Sequence, residues 1–325
     1  MIQNRRSGKT TLAIGLLVLA GICQVARAGE LEPPAAPSPT KTAINETDPR
    51  IPIRSGDLPL TIYQSGSYYL AENISTTGPG INIAASAVTL DLMGFSLSGG
   101  LGQGIDFSAG VNSLTVRNGT VSGWSFSGVR APRNSLIIDV HAEGNGQVGI
   151  YAEYGSVVIN STATGNQSGF SVTGASIKNC TATFNDITGI SATNSSTIDG
   201  CSARANGGNG FYVSDSSIRD STSTFNGGDG IHVLTKANVV GNLCSANGDA
   251  GIQVNGNDNR IEANNVVDNT GPGFDVNVGG NIIIKNTASG NGQNYAQIVA
   301  GNAVGQVQAV SGTFTNTNAW ANFSY

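Results

Sequence analysis

The sequence predicts an all-β fold, a single-domain right-handed parallel β-helix (a solenoid) of about eleven coils with about 21 residues each. Three observations predict it. A glycine followed by an apolar residue recurs from Gly80-Ile81 to Gly273-Phe274, first in steps of 24 residues and then in steps of 20 to 22. An asparagine column (Asn145, Asn166, Asn185, Asn206, Asn226, Asn247, Asn269, Asn291) runs in phase with it. Between repeats lies a column of small residues, Ala142, Ala163, Ala182, Ala203, Ser223, Cys244, Val266 and Ala288. A fixed period of this size is the mark of stacked repeats. It is too short for helix pairs, and 45 glycines with abundant Asn, Ser and Thr are poor helix material.

Within each repeat, apolar and polar residues alternate, as in SIKNCTATFN (176–185), and Gly or Asn interrupts the alternation. That pattern means short strands and tight bends. About three strands per turn then stack on the next turn through parallel hydrogen bonds, ~4.8 Å apart. Ile and Phe after the glycine point inward, and Ala and Cys fill narrow places. Asn takes left-handed backbone angles at a bend and ladders along the axis.

The termini read differently. Arg5, Arg6 and Lys9 precede the apolar stretch 11–22, and Ala26-Arg27-Ala28 is an A-x-A site. Residues 1–28 are therefore expected to be a signal peptide, and no membrane insertion is expected after its cleavage. The protein would be periplasmic, extracellular or held at the cell surface. Residues 29–50 are a Pro-rich spacer expected to be disordered. Residues 51–325 form the repeat domain, with an N-terminal cap at about 57–79 and a C-terminal cap at about 300–325 that contains Trp320. Loss of residues 1–28 leaves 12 basic against 21 acidic residues, a net charge of −9. Such a surface argues against nucleic acid and anionic membranes as partners.

The pattern N-G-x-x-G-I-x-V over residues 57–300 resembles that of secreted right-handed parallel β-helix proteins of the pectin-lyase-like superfamily. SGSYYLAENI (65–74), VTLDLMGFSLSGG (88–100) and VRNGTVSGW (116–124) look like the start of a bacterial group without assigned activity. The resemblance implies the architecture, and an extracellular polysaccharide as the class of partner. The N-T-D, D-D, G-H-G and R-I-K motifs of polygalacturonases, the D-P-H-E of mannuronan epimerases and the acidic calcium cluster of pectate lyases do not occur as units. Two functions stay open: a non-catalytic rod contacting polysaccharide, or a carbohydrate-active enzyme, a lyase or hydrolase.

Candidate residues come from the columns. Outward positions after the glycine give Tyr151, Tyr212, His232, Gln253 and Asp275 as glycan contacts, spaced close to one sugar unit. His232 with Tyr212, or His141 with Glu143, are the candidates for acid–base catalysis. NGGDGIHV (226–233) is not a phosphate loop, since no helix follows the glycines. Nor is it a tandem calcium repeat, because Tyr212 and His232 occupy the acid positions. Asp275 alone is placed for calcium, so no cofactor or metal is expected beyond that one candidate. Asp229 stands where other coils have Ser168, Thr188 and Asn209 and is given no role. Lys178, Asp199 and Arg219 are read as a surface charge ladder. Cys180, Cys201 and Cys244 are read as buried thiols, with a Cys180–Cys201 bridge left open. Oligomeric state is also left open.

Overall fold

A pairing repeats from coil to coil: Ile190 lies opposite Phe211, Phe211 opposite Ile231, and Ile231 opposite Ile252, each in parallel strands. The structure is a computed structural model and describes residues 49–312 and 316–325. The expected signal peptide and nearly all of the expected linker lie outside the described residues. Strands of mostly three to five residues form a 12-stranded sheet and a 24-stranded sheet, in which every pairing is parallel. Most coils give one strand to the first sheet and two to the second, as in Phe211–Val213, Ser217–Arg219 and Thr222–Thr224, while two coils give one long strand there, Leu114–Ser122 and Leu136–Glu143. The domain is a solenoid with three faces.

The 12-stranded sheet shows one more coil than the sequence pattern counted. The extra strand is Leu60–Ile62, whose Leu60 pairs with Ile81. Pro59 precedes it where later coils have glycine, so the Gly-apolar signal missed it.

Each coil turns three corners, and each corner is built the same way. A residue with left-handed backbone comes first, and a buried residue follows, in most coils a polar one, with Val140, Ala175 and Ala237 as apolar exceptions. At one corner the left-handed residues are Gly165, Phe184, Ala205, Phe225 and Ala246, and the column Asn166, Asn185, Asn206, Asn226 and Asn247 follows. The expectation that these asparagines adopt left-handed angles is corrected: the residue before each one does, and the asparagine turns inward. There it is buried, donates Nδ2 to Oδ1 of the next coil's asparagine at 2.8–3.1 Å, and accepts that neighbour's equivalent on the other side. Its backbone N–H donates to the same Oδ1, as Asn206 does to Asn226 at 3.0 Å. Bend amides that cannot join a β ladder are satisfied in this way, which matters because an unmet buried polar group costs ~1–3 kcal/mol.

A second corner carries Ser161, Cys180, Cys201, Ser221, Asn242, Asn264 and Asn286 in the same role. The two cysteines are therefore acceptors in a polar ladder as well as core fillers. Both are buried free thiols, as is Cys244. The Cys180 thiol is pushed up by its contact with the Cys201 sulfur and then by burial; burial alone pushes up Cys244.

The glycine column has a steric cause. A Cβ on Gly230 would meet Gly251 O at 2.5 Å and Asn247 Nδ2 at 2.8 Å. Gly189 and Gly210 would meet the next asparagine Nδ2 at 2.7 Å in the same way. These positions are glycine because the ladder passes against the backbone, not because the backbone is left-handed. The column Ile190, Phe211, Ile231, Ile252 and Phe274 is fully buried. Trp124, 1% exposed, fills the interior beside Gly99, where a Cβ would sit 2.2 Å from its ring. At the far end Trp320 is 54% exposed and carries Lys285 Nζ 4.8 Å above its ring.

Candidate functional site

The 12-stranded sheet sets one side chain per coil outward in register. Backbone pairing carries the row through Tyr151, Ser171, Ser191, Tyr212, His232, Gln253 and Asp275. The five glycan-contact candidates therefore share one face and one line, at ~4.8 Å per strand. Tyr212 and His232 stack, with ring centroids 5.6 Å apart and planes 7° from parallel. The two acid–base candidates of this face are therefore neighbours with stacked rings.

The hydrogen-bond partner of His232 is Asp229. Its Oδ2 lies 2.8 Å from His232 Nδ1. Asp229 is 4% exposed, and its Oδ1 accepts the Ala250 N–H at 3.2 Å. Its own N–H donates to Asn209 Oδ1 at 2.8 Å. The carboxylate is thus held from the following coil and the Asp229 backbone from the preceding one. A carboxylate at Nδ1 selects the neutral tautomer protonated there. Nε2 has no hydrogen bond among the described residues. Sequence reading passed over Asp229 because its column holds Ser, Thr and Asn. The usable signal was D-G-I-H: a bend between residues i and i+3 that brings both side chains to one side.

Further along the row, Gln253 Nε2 lies 3.4 Å and Asn277 Nδ2 3.3 Å from Asp275 Oδ2. Asp275 Oδ1 is buried without a hydrogen-bond partner. No group of three or more His, Cys, Asp and Glu is placed to hold a metal ion among the described residues.

His141 and Glu143 lie on a different face, in the 24-stranded sheet. His141 Nε2 is 3.5 Å from Glu143 Oε2, and Nδ1 contacts Thr162 Oγ1. Their side chains are 38% and 58% exposed. The two histidines are not brought together. Lys178 and Arg219 flank Asp199 at 3.4 and 3.0 Å, the charge ladder expected from their column.

The row also extends beyond Tyr151 toward the N-terminus. Arg130 pairs in register with Tyr151 and precedes it by one coil, and Arg130 Nη1 bonds Asp106 Oδ1 at 2.8 Å. Its guanidinium lies 5.1 Å from the Phe107 ring centre and 5.9 Å from that of Tyr151. A depression of about 380 Å³ sits beside it, lined by Asn82, Gln103, Asp106 and Phe126 among others. A second, of about 320 Å³, adjoins Gln103, Arg130, Gln147 and Tyr151. Burial raises the Tyr151 hydroxyl pKa, and the charge of Glu153 adds to the rise. Arg130 stands 21 residues before Tyr151, in period with the column, and Asp106 a further 24 residues back, out of the 20–22 period.

Several solved structures share this architecture. The A-module of mannuronan C-5 epimerase AlgE6 from Azotobacter vinelandii aligns with TM-score 0.63 at 17% identity, over 85% of this chain and 88% of that one. The catalytic domain of a GH87 alpha-1,3-glucanase in complex with tetrasaccharides aligns with TM-score 0.58 at 15% identity, over 83% and 69%. The Dettilon tailspike protein aligns with TM-score 0.51 at 14% identity, over 85% and 61%. At these identities the likeness is one of fold. No curated protein matches the chain by sequence. The family model described as right handed beta helix region matches residues 79–218 and 171–314, well over half of the sequence, with the strand order and registers above, and the chain belongs to that family.

Proposed function

We propose that this chain is an exported rod that contacts an extracellular polysaccharide lying along its 12-stranded face. The observation that carries the reading is the in-register row from Tyr151 to Asp275, one polar or aromatic side chain per coil. Its spacing of ~4.8 Å matches the advance of one sugar ring in an extended chain. Tyr151 offers a ring face, Tyr212 and His232, stacked on each other, offer their outer edges with the phenol hydroxyl and Nε2, and Gln253, Asp275 and the serines offer further hydrogen bonds. Two of the similar structures support the ligand class by name, a mannuronan epimerase and a glucanase with bound tetrasaccharides. Titration of the purified protein with soluble oligosaccharides tests it. Tyr212→Ala should weaken binding about tenfold, the loss of ~1.4 kcal/mol. Unchanged affinity in that variant would count against the row.

A second reading is favoured by one observation, the Asp229–His232 hydrogen bond. A buried carboxylate that fixes Nδ1–H leaves Nε2 as a proton acceptor facing a bound chain, which is the arrangement of a general base. Turnover of a glycan abolished by His232→Ala would establish the enzyme. Binding without turnover would leave the rod.

A further inference from the structure

We infer that the corner ridge carrying Phe184 and Phe225 is a second glycan-binding site, one for an uncharged, extended β-1,4-linked glucan. It lies away from the row on the 12-stranded face and does not depend on it. Both phenylalanines sit in left-handed backbone, φ 54° and 57°. Bulky residues seldom adopt that conformation, and the neighbouring coils place Gly144, Gly165, Ala205 and Ala246 there. Burial does not offset the strain, because the two residues are 61% and 58% exposed. Strain kept at an exposed ring points to a use for the ring.

The spacing says what the use is. Thr183 pairs with Arg204, and Arg204 with Thr224, so Phe184, Ala205 and Phe225 are successive members of one column. The rings are therefore two coils apart, ~10 Å along the axis. In a β-1,4-linked chain each sugar is turned over relative to the last, so every second ring presents the same C–H face. Two rings of sugar advance by about the distance that two coils do. Small Ala205 leaves the intervening sugar unobstructed. Arg204 sits with its guanidinium 5.2 Å from the Phe225 ring centre and holds that ring in place. Ile187, 51% exposed, widens the apolar strip beside Phe184. With one cation, Arg204, and one acid, Asp186, beside the rings, the ridge has no charge excess to select a polyuronate.

The test is calorimetric titration of the purified protein with cellohexaose, together with retention on microcrystalline cellulose. Phe184→Gly and Phe225→Gly remove the rings and relieve the left-handed strain. Each should lower cellohexaose affinity about tenfold (~1.4 kcal/mol), with a melting temperature equal to or above that of the wild type. Combining Phe225→Ala with Ala205→Phe keeps two rings but sets them on adjacent coils, and should lose affinity as fully. Cellohexaose affinity that falls in Tyr212→Ala but not in Phe184→Gly or Phe225→Gly would assign the binding to the 12-stranded face and overturn the ridge. Failure of the wild-type protein to bind either probe overturns the inference. Glycine variants that bind like the wild type and melt lower also overturn it, and would assign the rings a structural role.

Discussion

Asp229 Oδ2 and His232 Nδ1 lie 2.8 Å apart across the Gly230-Ile231 bend, and the same carboxylate accepts the Ala250 N–H. Asp229→Ala removes both bonds and leaves a buried amide unmet. It should cost about 1–3 kcal/mol in urea denaturation. Asp229→Asn keeps an oxygen for Ala250 and should cost less. Equal losses for the two substitutions would show that the amide bond contributes little.

The asparagine ladder predicts a larger effect. Asn206 accepts from Asn185 N–H and Nδ2, and donates to Ala182 O and Asn226 Oδ1. Asn206→Ala removes the acceptor of the Asn185 N–H and the side-chain donor to Ala182 O, both on the preceding coil, while Asn226 Oδ1 keeps the backbone N–H of residue 206. A loss of roughly 2–4 kcal/mol is expected from urea midpoints, at the sum of two unmet buried groups. The same change at Thr183, a half-exposed outward position beside it, should stay within ~0.5 kcal/mol.

Asp199 predicts a pH and salt dependence. Its carboxyl is held below the usual carboxylate range by the Arg219 hydrogen bond, with Lys178 assisting. A folded pKa below the unfolded one stabilises above the unfolded value of ~4, and that stability is lost as pH falls through the folded value. The pair is surface-exposed, so Asp199→Asn should cost under ~1 kcal/mol at pH 7. The difference from wild type should vanish at low pH and in ~1 M salt. A difference that persists in high salt would point to packing instead of charge.

The thiols predict slow chemistry. Cys180, Cys201 and Cys244 are buried, and the pKa values of Cys180 and Cys244 are raised. In the chain prepared without residues 1–28, which carry the fourth cysteine Cys23, a chromogenic disulfide reagent at pH 8 should react with none of them in the folded protein and with all three in denaturant. Recovery of only Cys244 would reveal a Cys180–Cys201 bridge.

The fold was legible because every coil repeats one steric problem. Glycine where the asparagine ladder passes, asparagine where bend amides need acceptors and Ile or Phe inside are each demanded coil after coil. The site was legible only where it obeyed that repetition. Tyr151, Tyr212, His232, Gln253 and Asp275 fall on one line because register alone puts them there. Asp229 was not legible, because its role depends on which way a bend side chain points. Asp106 was missed because a longer coil of 24 residues separates it from Arg130, whereas Arg130, 21 residues before Tyr151, was in period and legible. The first coil at Leu60 was missed because proline stands in for glycine.

The most direct test of polysaccharide contact along the 12-stranded face is affinity as a function of oligosaccharide length, measured by calorimetric titration for the ligand that binds. A row of seven coils from Tyr151 to Asp275 predicts affinity that rises with each added sugar up to about seven and then levels off. Affinity already maximal for a disaccharide, or no binding at any length, would contradict it.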